Sequence, residues 1–132
     1  MKRRDTGFTL LEMLIVVVVV AVLAMIAFPS YQEHLRKGRR AAAEAHLMDI
    51  SQRQQQYFHD VRSYASAVAT LDMSTPSDVS RYYTIAIATA AGPPPTFTAT
   101  ATPVAGTVQE LDLGGNALSV NQAGTKLPAG AW

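Results

Sequence analysis

The sequence predicts an α+β protein, in which one long N-terminal helix packs on a small antiparallel sheet of about four strands. Two patterns support this prediction. From residue 8 to about residue 61 the chain has first an apolar run and then apolar side chains at helical spacing. From residue 82 onward it has short segments of alternating apolar and polar side chains, separated by Gly, Pro and Asn. A sheet packed on the amphipathic half of the helix would bury every apolar face that the sequence shows.

Length and charge limit the function classes. The chain has 132 residues, enough for one compact domain and an appendage. Its net charge is +1, and residues 8–132 carry eight basic and nine acidic side chains, so this body has no general attraction for nucleic acid or membrane surfaces. The absence of cysteine excludes a disulfide framework and a thiolate zinc site.

The first element is an apolar segment from Phe8 to Phe28, preceded by Lys2, Arg3 and Arg4. As a helix its 21 residues rise ~31 Å, about the thickness of the hydrocarbon core of a bilayer, so it can span a membrane. Glu12 lies inside this segment. In a plain anchor an acid costs roughly 2.5 to 3.5 kcal/mol at the bilayer centre, and it is unusual in the core of a secretory signal peptide. Glu12 could also lie close enough to the interface to reach water.

The order Gly7, Phe8, Thr9, Leu10, Leu11, Glu12, after a basic leader and before a membrane-length run, resembles the class III signal sequence. That sequence is shared by type IV prepilins and type II secretion pseudopilins. In these families a membrane peptidase cuts after the glycine on the cytoplasmic side and methylates the new amino terminus. The resemblance therefore implies a leader of residues 1–7, cut after Gly7, and a mature chain that begins with N-methylated Phe8.

Such a cut gives Glu12 a role. It creates an α-amino group at the positive end of a helix dipole, where a cation is poorly placed, and burial in an apolar fibre core makes an unpaired charge worse. We expect Glu12 to pair with the Phe8 amine of an adjacent subunit and so to fix the axial offset between subunits. The alternative is that Glu12 caps its own first turn, a local effect of about 0.3 to 1 kcal/mol.

Pro29 lies directly after the apolar segment and removes one backbone donor, so we expect a kink there. Ser30 and Glu33 form a capping-box pattern that would also permit a new helix. We expect one continuous helix, kinked at Pro29 and ending at about Val61. Seven side chains at helical spacing predict its buried face: Ala43, Leu47, Ile50, Gln54, Tyr57, Phe58 and Val61.

The remaining elements are short. Residues 62–81 are predicted to be a connecting loop with one short helical turn. The strands are predicted in residues 81–90, residues 96–104, Val108 to Leu113 and Ala117 to Asn121, with residues 91–95 as the first connection. This layout resembles the pilin fold, and residues 39–64 resemble minor pilins of the PilE type. Such pilins commonly close a C-terminal loop with a disulfide, which this chain lacks, and we expect Trp132 to hold its end by packing.

The chain shows little catalytic chemistry. The spacing of His34, His46 and His59 on one helix puts no pair within one turn, and Asp112 to Asn116 is interpreted as a turn in preference to a calcium site. The sequence has no nucleophile elbow, no Ser/Lys or Cys/His pairing and no phosphate loop. We therefore predict no enzymatic activity, no metal and no cofactor.

A basic cluster follows the span, with Arg36, Lys37, Arg39 and Arg40 within one and a half helical turns. Four cations so spaced would contact several DNA phosphates and bind in a salt-dependent way. The alternatives are contact with anionic lipid headgroups and internal ion pairs such as Arg40 with Glu44.

The resemblance implies a structural subunit of a type IV pilus, more specifically a minor pilin that primes or joins a fibre for twitching motility, adhesion or DNA uptake. It also implies that before assembly the chain crosses the inner membrane once, with residues 8–28 in the membrane and residues 29–132 in the periplasm. Afterwards it would lie in the fibre at the cell surface. The expected partners are other pilin subunits, the prepilin peptidase, the inner-membrane assembly platform and membrane lipid, with DNA less favoured. The alternatives are a type II secretion pseudopilin, a DNA-receptor pilin and, in another class, a bitopic sensor or enzyme.

Overall fold

A computed structural model describes residues 7–132, so the predicted leader lies outside the described residues except for Gly7. Two helices, α1 (Leu10–Val61) and α2 (Ser77–Ser80), precede a sheet of four strands, β1 (Tyr83–Ala90), β2 (Thr96–Pro103), β3 (Leu118–Asn121) and β4 (Lys126–Leu127). Two 3₁₀ segments, Val68–Leu71 and Val108–Gly115, lie in the connections. The chain divides into two compact units, an N-terminal unit that ends at Leu35 and a globular unit, Arg36–Trp132.

The N-terminal unit is helical from Leu10 onward, and its helix continues through Pro29. The backbone N–H of Glu12 donates to Thr9 Oγ1 at 3.2 Å, so Thr9 caps the first turn. Residues 7–31 are all exposed within the chain, and α1 is long and apolar enough to cross a membrane. The predicted continuity is confirmed, whereas a bend at Pro29 stays a prediction.

The core of the globular unit lies between α1 and the inner face of the sheet. The helix buries Ala43, His46, Leu47, Ile50 and Gln54. The sheet contributes six buried side chains, from Tyr83, Phe97, Ala99, Ala101, Leu118 and Val120. The predicted helical face is thus confirmed at its centre. Its last member is wrong, because Val61 is 51% exposed at the point where Arg62 (φ 60°) ends the helix.

The sheet is antiparallel in the order β1-β2-β3-β4, and its inner side chains follow the predicted alternation. The strand predicted over Val108 to Leu113 is wrong. This segment is a 3₁₀ turn that brings Gln109 to within 3.2 Å of Asp112, and Leu113 and Gly114 have positive φ values of 52° and 62°. The fourth strand is Lys126–Leu127 instead.

The loop after α1 is fixed to the helix by one buried amide. Gln54 Nε2 donates to the carbonyl oxygen of Ala65 at 2.6 Å, and the Ala65 N–H donates to Gln54 Oε1 at 2.9 Å. Both residues are buried, with exposed fractions of 0% and 3%. Gln54 therefore satisfies two backbone groups that would otherwise be buried without partners.

The C-terminal end packs against the core as predicted. The indole Nε1 of Trp132 donates to the carbonyl oxygen of Leu127 at 3.1 Å, and the Lys126 ammonium lies 4.9 Å from the centre of the Trp132 ring. Trp132 also contacts the buried core cluster.

We expect Gln54→Ala to lower the free energy of unfolding by about 2 to 4 kcal/mol, because it leaves the N–H and C=O groups of Ala65 buried without partners. Urea unfolding of the full chain in detergent, followed by the fluorescence of Trp132, measures this. Gln52→Ala, an exposed glutamine on the same helix, is the control and should change stability by less than about 0.5 kcal/mol. Equal effects of the two substitutions would contradict the role of Gln54.

Candidate functional site

The predicted processing and assembly residues all belong to the N-terminal unit, but Pro29 lies 17 residues along α1 from Glu12. Gly7 and Phe8 precede α1, Glu12 lies in its first turn and Pro29 lies inside it. Phe8 is 74% exposed and the Glu12 side chain is exposed. Thr9 caps the first turn through the backbone N–H of Glu12. Among residues 7–132 the Glu12 carboxylate itself has no hydrogen-bond or ion-pair partner, so none of them competes for it.

The basic cluster lies where α1 enters the globular unit, and the structure separates its members. The Arg40 guanidinium contacts two carboxylates. Its Nη1 lies 3.3 Å from Asp112 Oδ1, and its Nε lies 3.6 Å from Glu44 Oε1, which confirms the predicted Arg40–Glu44 pair. The guanidinium carbon of Arg39 lies 4.0 Å from the centre of the Tyr82 ring. Arg36 is half-buried and Lys37 is exposed.

Arg40 belongs to a polar network whose centre is Gln109. The buried Nε2 of Gln109 lies within hydrogen-bonding distance of the Arg36 carbonyl oxygen (3.1 Å), Tyr83 Oη (2.8 Å) and Asp112 Oδ2 (3.2 Å). Burial raises the pKa of Tyr83 to about 12, so the phenol stays protonated. Burial also raises the pKa of Glu44, although the Arg40 charge opposes this shift. The network fixes the Val108–Gly115 segment to α1 and β1.

Sequence reasoning missed Gln109 and Tyr83 as members of a polar network. A glutamine between Val108 and Glu110 has no local signal for burial, because its hydrogen-bond partners come from α1 and β1. Asp112, weighed for calcium, is instead paired with Arg40. Within residues 7–132 no three His, Asp or Glu side chains are grouped closely enough to hold a metal ion.

A polar groove of about 420 Å³ lies between α1 and the loop that follows it, lined by Asp49, Gln52, Arg53, Gln56 and Met73. A second hollow of about 150 Å³ shares Arg53 and Gln56 and adds Asp60 and Asp72. The carboxylates of Asp49, Asp60 and Asp72 outnumber the single guanidinium of Arg53, so this surface is acidic. It is therefore poorly suited to a phosphate backbone.

His46 is the one histidine in the core, with an exposed fraction of 5% and an Nε2 that has no hydrogen-bond partner within the described chain. Burial lowers its pKa from the ordinary value of 6.5, and the nearby charges of Asp49 and Asp78 oppose this shift. His34 and His59 are exposed.

Comparison with known proteins gives two family matches. Residues 29–112 match the family described as type IV minor pilin ComP, DNA uptake sequence receptor, and residues 2–28 match the prokaryotic N-terminal methylation motif. No curated protein sequence matches the chain. A solved structure of a type IV pilin from Shewanella oneidensis has a TM-score of 0.57 and 24% identity, and the alignment covers 74% of this chain and 97% of that one. This likeness confirms the predicted pilin fold.

The buried His46 is expected to make stability depend on pH. Its folded pKa is below the unfolded value of 6.5, so its neutral form contributes stability that is complete above that value and is lost as pH falls through the folded pKa. Urea unfolding at pH values from 7 to 5 should show a steeper loss for the wild type than for His46→Leu. His59→Gln, which removes an exposed histidine from the same helix, should keep the wild-type slope. A wild-type slope in His46→Leu would contradict this assignment.

Proposed function

Because the chain belongs to the ComP family of type IV minor pilins, we propose that it is a pilus subunit whose globular unit binds DNA for uptake. The family and the methylation motif confirm the predicted prepilin class, the minor-pilin role and anchoring in the inner membrane before assembly. The observation that carries the DNA proposal is the match of residues 29–112 to a family described as a DNA uptake sequence receptor. Contacts with other pilin subunits follow from the family, and the pilin fold has a structural role. Docking on an inner-membrane assembly platform and the absence of enzymatic activity are part of the proposal.

The charges of the globular unit favour one surface for the DNA. Arg40 is largely neutralised by Asp112 and Glu44, so it adds little attraction for phosphate. Arg39 stacks on the half-buried Tyr82, and Arg81, the residue before Tyr82, is exposed. A cation on an aromatic ring, with a second exposed cation adjacent in sequence, suits a phosphate backbone and an adjacent sugar or base. The surface around Arg39, Arg81 and Tyr82 is our proposed DNA contact, with Arg36 and Lys37 as its continuation along α1 or as contacts for lipid headgroups.

The proposed assembly contact joins the N-methylated amine of Phe8 to the Glu12 carboxylate of a neighbouring subunit, after cleavage at Gly7. It is supported by the methylation motif over residues 2–28 and by a Glu12 carboxylate that the described residues leave unpaired. Pro29 is proposed to let the helix bend as it packs into the fibre.

Neutralising the proposed DNA surface should weaken salt-dependent binding. We expect Arg39→Gln and Arg81→Gln each to reduce the slope of log affinity against log salt by about 0.9, the effect of one lost phosphate contact on duplex DNA. The measurement is a salt titration of the full chain in detergent with fluorescent duplex DNA. Arg53→Gln, in the acidic groove, is the control and should leave the slope unchanged. Unchanged slopes in both variants would contradict this surface, and a wild type that binds no DNA would contradict the receptor function.

The assembly contact predicts that Glu12→Gln is cleaved and methylated but is absent from fibres, because the Phe8 amine loses its counter-charge in an apolar core. N-terminal mass spectrometry of the membrane-bound chain and immunodetection in sheared pili measure the two steps. Glu33→Gln, which removes another exposed carboxylate of α1, is the control and should enter fibres. Normal incorporation of Glu12→Gln would rule out the pairing.

A further inference from the structure

The two edge strands of the sheet, β1 and β4, differ in how readily they could pair with another chain. The β4 edge is only two residues long, contains Lys126 and is followed by Pro128. The carbonyl oxygen of Leu127 in this strand already accepts a hydrogen bond from Trp132. A short strand, a lysine and a proline are devices by which proteins prevent an edge from pairing with another chain.

The β1 edge has none of these devices. Its eight residues, YTIAIATA, contain no charge and no proline, and they pair with β2 in one uninterrupted register from Tyr83↔Pro103 to Ala90↔Thr96. In the part of the chain that the structure describes, residues 84–90 make no backbone hydrogen bond outside this ladder. Every second N–H and C=O along the outer side is therefore left to water. An exposed, uncharged edge of this length is a template for a further strand.

The side chains of β1 also leave room for an added strand. Ile85 and Ile87 point to the core side but are only half-buried, because they lie at the margin of the sheet. Ala86 and Ala88 lie on the opposite face, where they are small and exposed. A strand added beside β1 would meet no bulky side chain on that face and would cover the two isoleucines.

We propose that the free edge of β1 receives an extended segment of a partner protein as a fifth strand of the sheet. Its chemistry follows from the edge: a backbone that pairs with the outer N–H and C=O groups, aliphatic or β-branched side chains toward Ile85 and Ile87, and no charge along its length. Main-chain hydrogen bonds supply affinity, and the alternating side chains supply specificity.

A second copy of the chain is the less suitable occupant. Two β1 edges pairing with each other are related by a two-fold axis, and such a contact closes as a dimer. Subunits of a fibre repeat by a helical operation, which requires a contact between two different surfaces. Pairing of β1 with β1 of a second copy is thus disfavoured, and the partner of the proposal is a different polypeptide. It pairs with residues 84–90, which follow Arg81 and Tyr82 of the proposed DNA surface.

Amide hydrogen exchange of the full chain tests the proposal, with the detergent-solubilised subunit compared with the same chain in isolated pili. An added strand should slow exchange of about half of the amides in residues 84–90 by roughly tenfold or more in pili, since alternate N–H groups point to the free edge. The peptide that covers Lys126 and Leu127 serves as the reference for a closed edge and should exchange alike in both samples. Equal exchange of residues 84–90 in the two samples would overturn the proposal.

A matched pair of variants distinguishes binding at the edge of β1 from binding to the outer face of the sheet. Ala88 and Thr98 are cross-strand partners, both exposed on the outer face, but only Ala88 is on the edge strand. Ala88→Lys should abolish the protection of residues 84–90 in pili, and Thr98→Lys should keep it; equal losses would overturn the proposal. Where Ala88→Lys lowers the urea midpoint of the solubilised chain, Ala86→Lys takes its place. Because the chain has no cysteine, Ala88→Cys can form a disulfide-linked dimer of this chain only where two copies meet at this edge, and such a dimer in oxidised pili would contradict a different polypeptide.

Discussion

The globular unit depends on the close packing of α1 on the inner face of the sheet. Three of the residues fully buried in this core are alanines, Ala43 on the helix and Ala99 and Ala101 on β2. These small side chains share the core with larger ones such as Leu47, Ile50 and Phe97, which fill most of the space between helix and sheet. Polar groups buried in this contact lose their water. The Gln54 amide and Gln109 Nε2 have partners within the chain, whereas His46 Nε2 and Gln109 Oε1 have none among the described residues.

Local periodicity explains why much of this fold could be predicted. The 3.6-residue spacing of Ala43, Leu47 and Ile50 is set by which face of a helix is buried, and alternation in β1 and β2 is set by which side of a sheet is buried. Both patterns are visible within a short window of sequence. The processing motif is local too, and the family match over residues 2–28 supports it.

Most of the incorrect sequence predictions concern residues whose contacts are made by segments far along the chain. Gln109 is buried because a carbonyl oxygen 73 residues earlier and a phenol 26 residues earlier accept its amide hydrogens, and these contacts hold Val108–Gly115 in a turn and prevent it from forming a strand. Arg40 looked like one of four equivalent cations, but its main partner, Asp112, lies 72 residues later. Val61 continues the helical spacing, yet the left-handed backbone of Arg62 ends the helix and leaves the valine at the surface. The candidate DNA surface therefore differs from the basic cluster in the sequence: Arg40 is neutralised by Asp112 and Glu44, and Arg81 and Tyr82, just before β1, are added.

The contacts of Trp132 bear on how the protein matures. One indole hydrogen bond to Leu127 and one ring contact with Lys126 hold the C-terminal residues beside the sheet, in a chain without cysteine. Neither contact involves electron transfer, so neither responds to the redox potential of its surroundings. The globular unit can therefore complete its fold without a thiol oxidase or a disulfide isomerase, and reductants that open cystine-stapled loops leave its end in place.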